Sequence, residues 1–299
     1  YDVWFRESTL HQSGKVMEAI KRLTDAGYTY EEEGALWFKA TEFGCDKDFV
    51  LVRANGIPTY FAADIAYHRN KLEDRGFDLA INIWGADHHG HVARLQGAMD
   101  AVGLDGSKLD VVLMQMGELM RDGKPEKMSK RTGKAITLTD LLDEVPIDAA
   151  RFLFNMREPN THLLFDLGLA VKNTNDNPVY YVQYAHARIC SILRKLETEG
   201  VKIRKPEKAE LTLLTSDEET DLIAHLASLT NVIIFAANSY DPARITHYAT
   251  ELATKFHRFY NAQRVMVDDE ALMQARIFLC MCVRSTMKNV LSMLKIQAP

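Results

Sequence analysis

Apolar positions follow two different rhythms along the chain. Before about residue 116, short runs alternate with helical spacing. Residues 15–25 read as a helix, 35–40 and 49–53 as strands, and 59–72 as a helix. Residues 79–84 read as a strand, 92–102 as a helix and 111–116 as a strand. The runs Leu79-Ala-Ile-Asn-Ile-Trp84 and Val111-Val-Leu-Met-Gln-Met116 are nearly continuously apolar, the pattern of parallel strands covered on both faces. A strand, a helix and a second strand in that order predict a parallel βαβ unit, whose ligands lie beyond the carboxyl ends of the strands.

Residues 117–134 are polar and charged and read as a loop, and strand signal is scarce from 137 onward. Helices are predicted over 139–144 and 149–157, followed by three long ones. The first, 177–197, carries Val182, Ala185, Ile189, Leu193 and Leu196 on one stripe. The second repeats Leu222, Leu226, Leu229, Ile233 and Ala236, and Ser216 with Glu219 fits a capping box at its start. The last, 269–295, lines up Leu279, Val283, Met287 and Val290. A shorter helix carries Leu252, Phe256, Phe259 and Tyr260. The expected fold is α/β followed by an all-α bundle, with 202–210 as an exposed connection.

Composition narrows the class. The 299 residues carry a formal net charge of −5, which argues against a general nucleic-acid binder but permits a local basic patch. No uninterrupted apolar run approaches the ~20 residues of a membrane span, so no membrane partner is expected. Tyr-Asp-Val-Trp-Phe at the start does not resemble a signal peptide, and the missing initial Met suggests residues upstream. Cys45, Cys190, Cys280 and Cys282 include no Cys-x-x-Cys, so neither a zinc knuckle nor a disulfide framework is expected, and a cytoplasmic location is the simplest reading.

Four places carry candidate chemistry. Lys127-Met128-Ser129-Lys130 sits in a stretch where six basic residues from Arg121 to Lys134 face Asp122 and Glu126. A cationic loop near a nucleotide site neutralises charge on departing phosphates. Gly85-Ala-Asp-His-His-Gly90 follows a buried strand and opens a helix. Its glycines admit a nucleotide close to the backbone, and Asp87 can accept from a ribose or an amino group. The close histidines could alternatively only cap the helix, and they lack the spacing of a metal site. Tyr60 and Asp64 share a helix face, which suits either a guanidinium ligand or an ordinary helix start. Tyr184, Arg188 and Lys195, with Tyr181 at their edge, lie opposite an apolar stripe. They suit stacking on unpaired bases, or packing on a neighbouring helix.

With these motifs in order, the chain resembles the class I aminoacyl-tRNA synthetases, whose signature is a KMSK loop. Trp84-Gly-Ala-Asp-His-His-Gly90, Lys127-Met-Ser-Lys-Arg-Thr-Gly133, Leu141-Leu-Asp-Glu-Val145, Asp148-Ala-Ala-Arg151 and Asn177-Pro-Val-Tyr-Tyr-Val-Gln-Tyr-Ala-His-Ala-Arg188 resemble the arginyl-tRNA synthetase family over the whole chain. The family's other signature, HIGH, is not assigned to His88-His-Gly-His91, which lies only 39 residues before Lys127. The resemblance therefore implies a fragment without the HIGH-containing half, inactive alone.

It further implies residues 1–135 as the second half of a Rossmann-like nucleotide domain, 136–165 as a helical connection and 166–299 as an anticodon-binding bundle. Lys127, Met128, Ser129 and Lys130 would be catalytic. Gly85, Asp87, His88, His89, Gly90 and Met116 would bind ATP, with Mg2+ held by the ATP phosphates. Tyr60 and Asp64 would bind L-arginine. Tyr181, Tyr184, Arg188 and Lys195 would bind tRNA(Arg). A monomer that does not bind DNA is expected. The alternatives are a non-catalytic tRNA-binding module and the cysteine enzyme of the same class, which would need a zinc-ligand set.

Overall fold

The computed structural model describes residues 1–121, 123–126 and 136–299. They form two compact units, Tyr1–Gln115 and Met116–Pro299. The structural division thus falls after residue 115, where the sequence suggests 135.

The first unit opens with α1 (Ser8–Gln12) and α2 (Lys15–Asp25). The antiparallel strands β1 (Thr29–Glu32), β2 (Ala35–Phe38) and β3 (Phe49–Val52) follow. α3 (Tyr60–Arg69) leads to the parallel pair β4 (Ala80–Gly85) and β5 (Leu109–Met114), joined through α4 (His89–Ala101). The expected βαβ unit is therefore present. Leu23, Phe38, Leu51, Ile65, Leu95 and Met99 are fully buried in its core.

One expectation for these strands is corrected. On β4, Ala80 and Asn82 are buried, but Ile81 is 47% and Ile83 67% exposed. Within this unit the two faces of β4 differ, with burial and exposure alternating from Ala80 to Ile83.

Asn82 anchors a polar chain beneath α3. Its Nδ2 donates to His68 Nε2 at 2.9 Å and its Oδ1 accepts from Lys71 Nζ at 2.9 Å. His68 Nδ1 in turn donates to the Asp64 carbonyl at 2.7 Å. Buried polar groups are thereby paired rather than stranded.

The second unit begins with β6 (Gly117–Arg121), where the sequence suggested a loop. β6 pairs antiparallel with β7 (Lys124–Pro125) and parallel with β8 (Leu163–Asp166), a strand that the helical reading after 137 missed. β6 is broken by Glu118 and Arg121 and β8 ends on Asp166 between helical stretches, so neither presents the apolar run that marks β2 and β3.

α5 (Leu138–Glu144) and α6 (Ile147–Phe154) precede β8, and α7 (Leu167–Ala170) follows it. The bundle comprises α8 (Pro178–Thr198), α9 (Lys208–Leu211), α10 (Asp217–Asn238), α11 (Ala243–Ala262) and α12 (Glu270–Met293). α11, expected to be short, runs 20 residues. Val182, Ile189, Leu252, Phe256, Val283 and Met287 are fully buried in a common core.

Among the described residues, α10 alone is long and apolar enough to cross a membrane by length and composition. It nevertheless packs on α11 through polar pairs: Lys255 Nζ donates to Asp221 Oδ1 at 2.7 Å, and His225 Nε2 to the Tyr248 carbonyl at 3.2 Å. The four cysteines are free thiols.

Candidate functional site

α3 begins after Thr59 and carries Tyr60 at its first position and Asp64 one turn later. Tyr60 is 64% exposed. Asp64 is about one-third exposed, and its Oδ2 lies 2.9 Å from Nε2 of the buried His91. The His91 ring sits 5.1 Å from Trp84, 5.7 Å from Phe61 and 6.0 Å from Tyr60 by ring centroids. Asp64 is thus carried to the carboxyl end of β4, where Trp84 and Gly85 end the strand. That is the place at which α/β sheets bind ligands. The structure brings the two sequence-chosen residues together there and adds His91, which sequence reasoning did not select.

The turn from β4 into α4 carries the remaining candidates. Gly85 has an ordinary extended conformation, so its lack of a side chain is a matter of space: a Cβ there would lie 2.5 Å from Asp87 Oδ1. The Asp87 and His88 side chains are largely exposed and 3.9 Å apart. His89 and Gly90 are exposed as well. His88 occupies the N-cap of α4, yet its side chain makes no capping hydrogen bond. The simple capping explanation for this histidine therefore fails. A helix start whose N–H groups are not taken by a cap side chain favours anions.

Met116 belongs to the second unit and is 79% exposed. Lys127, Met128, Ser129 and Lys130 lie outside the described residues. Among the described residues, no cluster of three or more histidine, cysteine or acidic side chains is placed to hold a metal ion.

In the bundle, α8 begins at the Asn177 N-cap, whose side chain accepts from the Val179 N–H, and Pro178 fills the first turn. Tyr184 is 41% exposed and its ring lies parallel to that of Tyr180, 6.2 Å away. Lys195 is exposed and 3.7 Å from Glu199.

Two members depart from the outward-facing expectation. Tyr181 packs on the core with its ring 5.0 Å from His257. Arg188 is half-buried, with its guanidinium 4.2 Å above the Tyr260 ring and 5.8 Å from that of Tyr184. Tyr180, His257 and Tyr260 were not selected from the sequence. Two of them come from α11, and no local signal on α8 points to a partner that far along the chain. Burial, assisted by the nearby Arg188 cation, lowers the His257 pKa and keeps that ring neutral. The cluster is therefore aromatic with one delocalised cation.

Two family models match the chain. That described as tRNA synthetases class I (R), catalytic domain covers residues 3–184, and that described as DALR anticodon binding domain covers 182–299. The chain is 57% identical to the arginine–tRNA ligase of Caldanaerobacter subterraneus subsp. tengcongensis, over 100% of this chain and 53% of that protein. The arginine–tRNA ligase of Ruminiclostridium cellulolyticum is 54% identical over the same shares. The chain thus spans about half the length of the curated relatives it matches. A Campylobacter jejuni arginyl-tRNA synthetase structure superposes with a TM-score of 0.88 at 35% identity, covering 100% of this chain and 64% of that one. The Thermus thermophilus arginyl-tRNA synthetase shares the fold, with a TM-score of 0.82 at 22% identity over 97% of this chain and 58% of that one.

Proposed function

The chain belongs to the class I arginyl-tRNA synthetases, and on that premise we propose that it acts as part of an arginine–tRNA ligase. The complete enzyme would join arginine to ATP, release pyrophosphate and pass the arginyl group to tRNA(Arg). The observation that carries this reading is the Asp64 carboxylate, partly exposed beside Tyr60 at the carboxyl end of β4. A guanidinium is best held by a carboxylate with an aromatic or hydroxyl neighbour.

Gly85, Asp87, His88, His89 and Gly90 would receive the adenylate, with the uncapped start of α4 favouring its phosphate. Met116 would add an apolar contact to the nucleotide. Lys127 and Lys130 would offset phosphate charge, within the catalytic motif Lys127-Met128-Ser129-Lys130. Magnesium would travel with the ATP phosphates and supply counter-charge there. No side chain need act as acid or base, because positioning and electrostatic stabilisation suffice. The matches to arginine enzymes over the whole chain weigh against the cysteine enzyme.

The HIGH-type histidines would come from the remaining length of the enzyme, so this chain by itself should make no arginyl-adenylate. The test is arginine- and tRNA-dependent ATP–pyrophosphate exchange with the full-length protein and with this chain. In the full-length protein, Asp64→Asn should raise the KM for arginine roughly 10- to 150-fold, the worth of a charge-assisted bond of about 1.5–3 kcal/mol. The KM for ATP should barely move. An equal rise for both substrates would make Asp64 a structural helix-start residue. Exchange by this chain alone, well above background, would show that the HIGH motif has been misplaced.

A further inference from the structure

We infer that His91 is the positioning residue for the arginine-reading carboxylate, fixed in one tautomer by Arg94. This deepens the proposed function and rests on its reading of Asp64. His91 is 5% exposed and enclosed by Trp84, Phe61 and Tyr60. Its two ring nitrogens have different partners. Arg94 Nε donates to His91 Nδ1. A guanidinium has no acceptor to offer, so Nδ1 must carry a lone pair. The imidazole proton is therefore on Nε2, where it donates to Asp64 Oδ2 at 2.9 Å.

Arg94 is itself held, with its guanidinium 4.6 Å from the Phe49 ring centroid and 5.6 Å from that of Phe61. The backbone behind Asp64 is fixed as well, since the Asp64 carbonyl accepts from His68. One carboxylate oxygen is thus occupied by a neutral donor in a set orientation. The other makes no hydrogen bond among the described residues, although the Lys71 cation also acts on the carboxylate. A neutral donor orients the carboxylate without cancelling its charge, which a guanidinium ligand needs. The arrangement follows the general rule that groups behind a binding side chain set its orientation.

The experiment measures the KM for arginine, the KM for ATP and kcat by pyrophosphate exchange in the presence of tRNA(Arg) in the full-length protein. The proteins compared are the parent, His91→Leu, His91→Gln, Asp64→Asn and the Asp64→Asn/His91→Leu double variant. His91→Leu, which keeps an apolar body in the aromatic cage, should raise the arginine KM about tenfold and leave the ATP KM within about twofold. His91→Gln retains an N–H donor and should recover most of that loss. Adding His91→Leu to Asp64→Asn should cost nothing further in arginine KM, because the residue being positioned has already lost its charge.

Three results would overturn the inference. One is a His91→Leu protein with unchanged arginine KM. Another is equal loss in the Leu and Gln variants. The third is an additive effect in the double variant. Failure of Asp64→Asn itself to raise the arginine KM would instead remove the underlying reading of Asp64, and the positioning role with it.

Discussion

Arg276 and Glu219 meet inside the helical bundle, with Arg276 Nε donating to Glu219 Oε1 at 2.7 Å and both side chains almost fully buried. Each end of the pair is otherwise satisfied. Arg276 also donates to the Arg264 carbonyl at 2.7 Å and to Gln263 Oε1 at 2.8 Å. Glu219 Oε2 accepts from the Ser216 N–H at 2.9 Å, closing the capping box of α10. The pair therefore ties the start of α10 to α12 and to the end of α11.

Arg276→Met should destabilise the helical unit by about 3–5 kcal/mol, since it leaves a buried carboxylate without its counter-charge. A loss of that size corresponds to a fall of roughly 6–20 °C in melting temperature for a unit of this size. Converting both residues, Glu219→Met with Arg276→Met, should recover part of the loss, because no charge is then stranded. Thermal melts followed by circular dichroism decide it. A double variant less stable than Arg276→Met would show that the pair contributes more than mutual neutralisation.

The same pair marks the limit of what the sequence reveals. Ser216 and Glu219 are three residues apart, and their capping box is legible as a local motif. Arg276 lies 57 residues further on, and nothing in its neighbourhood announces a buried partner. The long helices were legible because their apolar stripes repeat for five or six turns. β6 and β8 were not: β2 and β3 are as short but run apolar throughout, whereas β6 is broken by Glu118 and Arg121 and β8 lies between helical stretches. At the candidate site the same rule holds. Tyr60 and Asp64 share one helix and could be paired from spacing, whereas His91 reaches Asp64 from another helix 27 positions away. The open face of β4 was misread because a run of apolar residues reports composition, not which neighbours cover it.

A pH dependence follows from the polar chain under α3. Burial, reinforced by the Lys71 cation, lowers the His68 pKa to about 4. An unfolded histidine titrates near 6.5. Between these values the unfolded chain binds a proton that the folded chain refuses, so stability present above pH 6.5 is lost as pH falls towards 4. The loss attributable to His68 should reach about 3 kcal/mol. His68→Gln can still donate to the Asp64 carbonyl and has no such titration. Urea unfolding of both proteins at pH 7 and pH 4.5 is the check. The variant should start less stable and fall less steeply; parallel losses in the two proteins would exclude His68 as the acid-sensitive group.

Lys130→Ala in the full-length protein should lower the maximal rate of arginine- and tRNA-dependent exchange by two to three orders of magnitude, with a far smaller change in arginine binding. The magnitude is that typical of removing one group that stabilises developing charge, about 10²- to 10³-fold. The expectation rests on the Lys127-Met-Ser-Lys130 pattern and on the need for positive charge as pyrophosphate departs. Steady-state kinetics separate the cases: an unchanged kcat with only a raised KM for ATP would assign Lys130 to ground-state binding.

The aromatic face of α8 gives the last prediction, and the structure sharpens it. Tyr181 and Tyr184 are both in reach of His257, but only Tyr184 presents a substantial exposed surface, whereas Tyr181 packs on the core. Arg188 is held over the Tyr260 ring, so its charge is fixed beside Tyr184 and not free in solvent. A base stacking on Tyr184 would therefore meet a preset cation at its edge. The chain as a whole carries a net charge of −5, so diffuse attraction to phosphate cannot supply the affinity. Binding of tRNA(Arg) should then depend on stacking, at about 1–3 kcal/mol per base, and show a shallow salt dependence. Tyr184→Ala should weaken binding roughly 5- to 150-fold, and Tyr184→Phe, which keeps the ring, much less. Tyr181→Ala should instead lower the melting temperature more than it lowers affinity. Filter binding across a salt series, paired with thermal melts, separates the two tyrosines. A folded Tyr181→Ala/Tyr184→Ala protein that holds tRNA as tightly as the parent would place the RNA-binding surface elsewhere on the bundle.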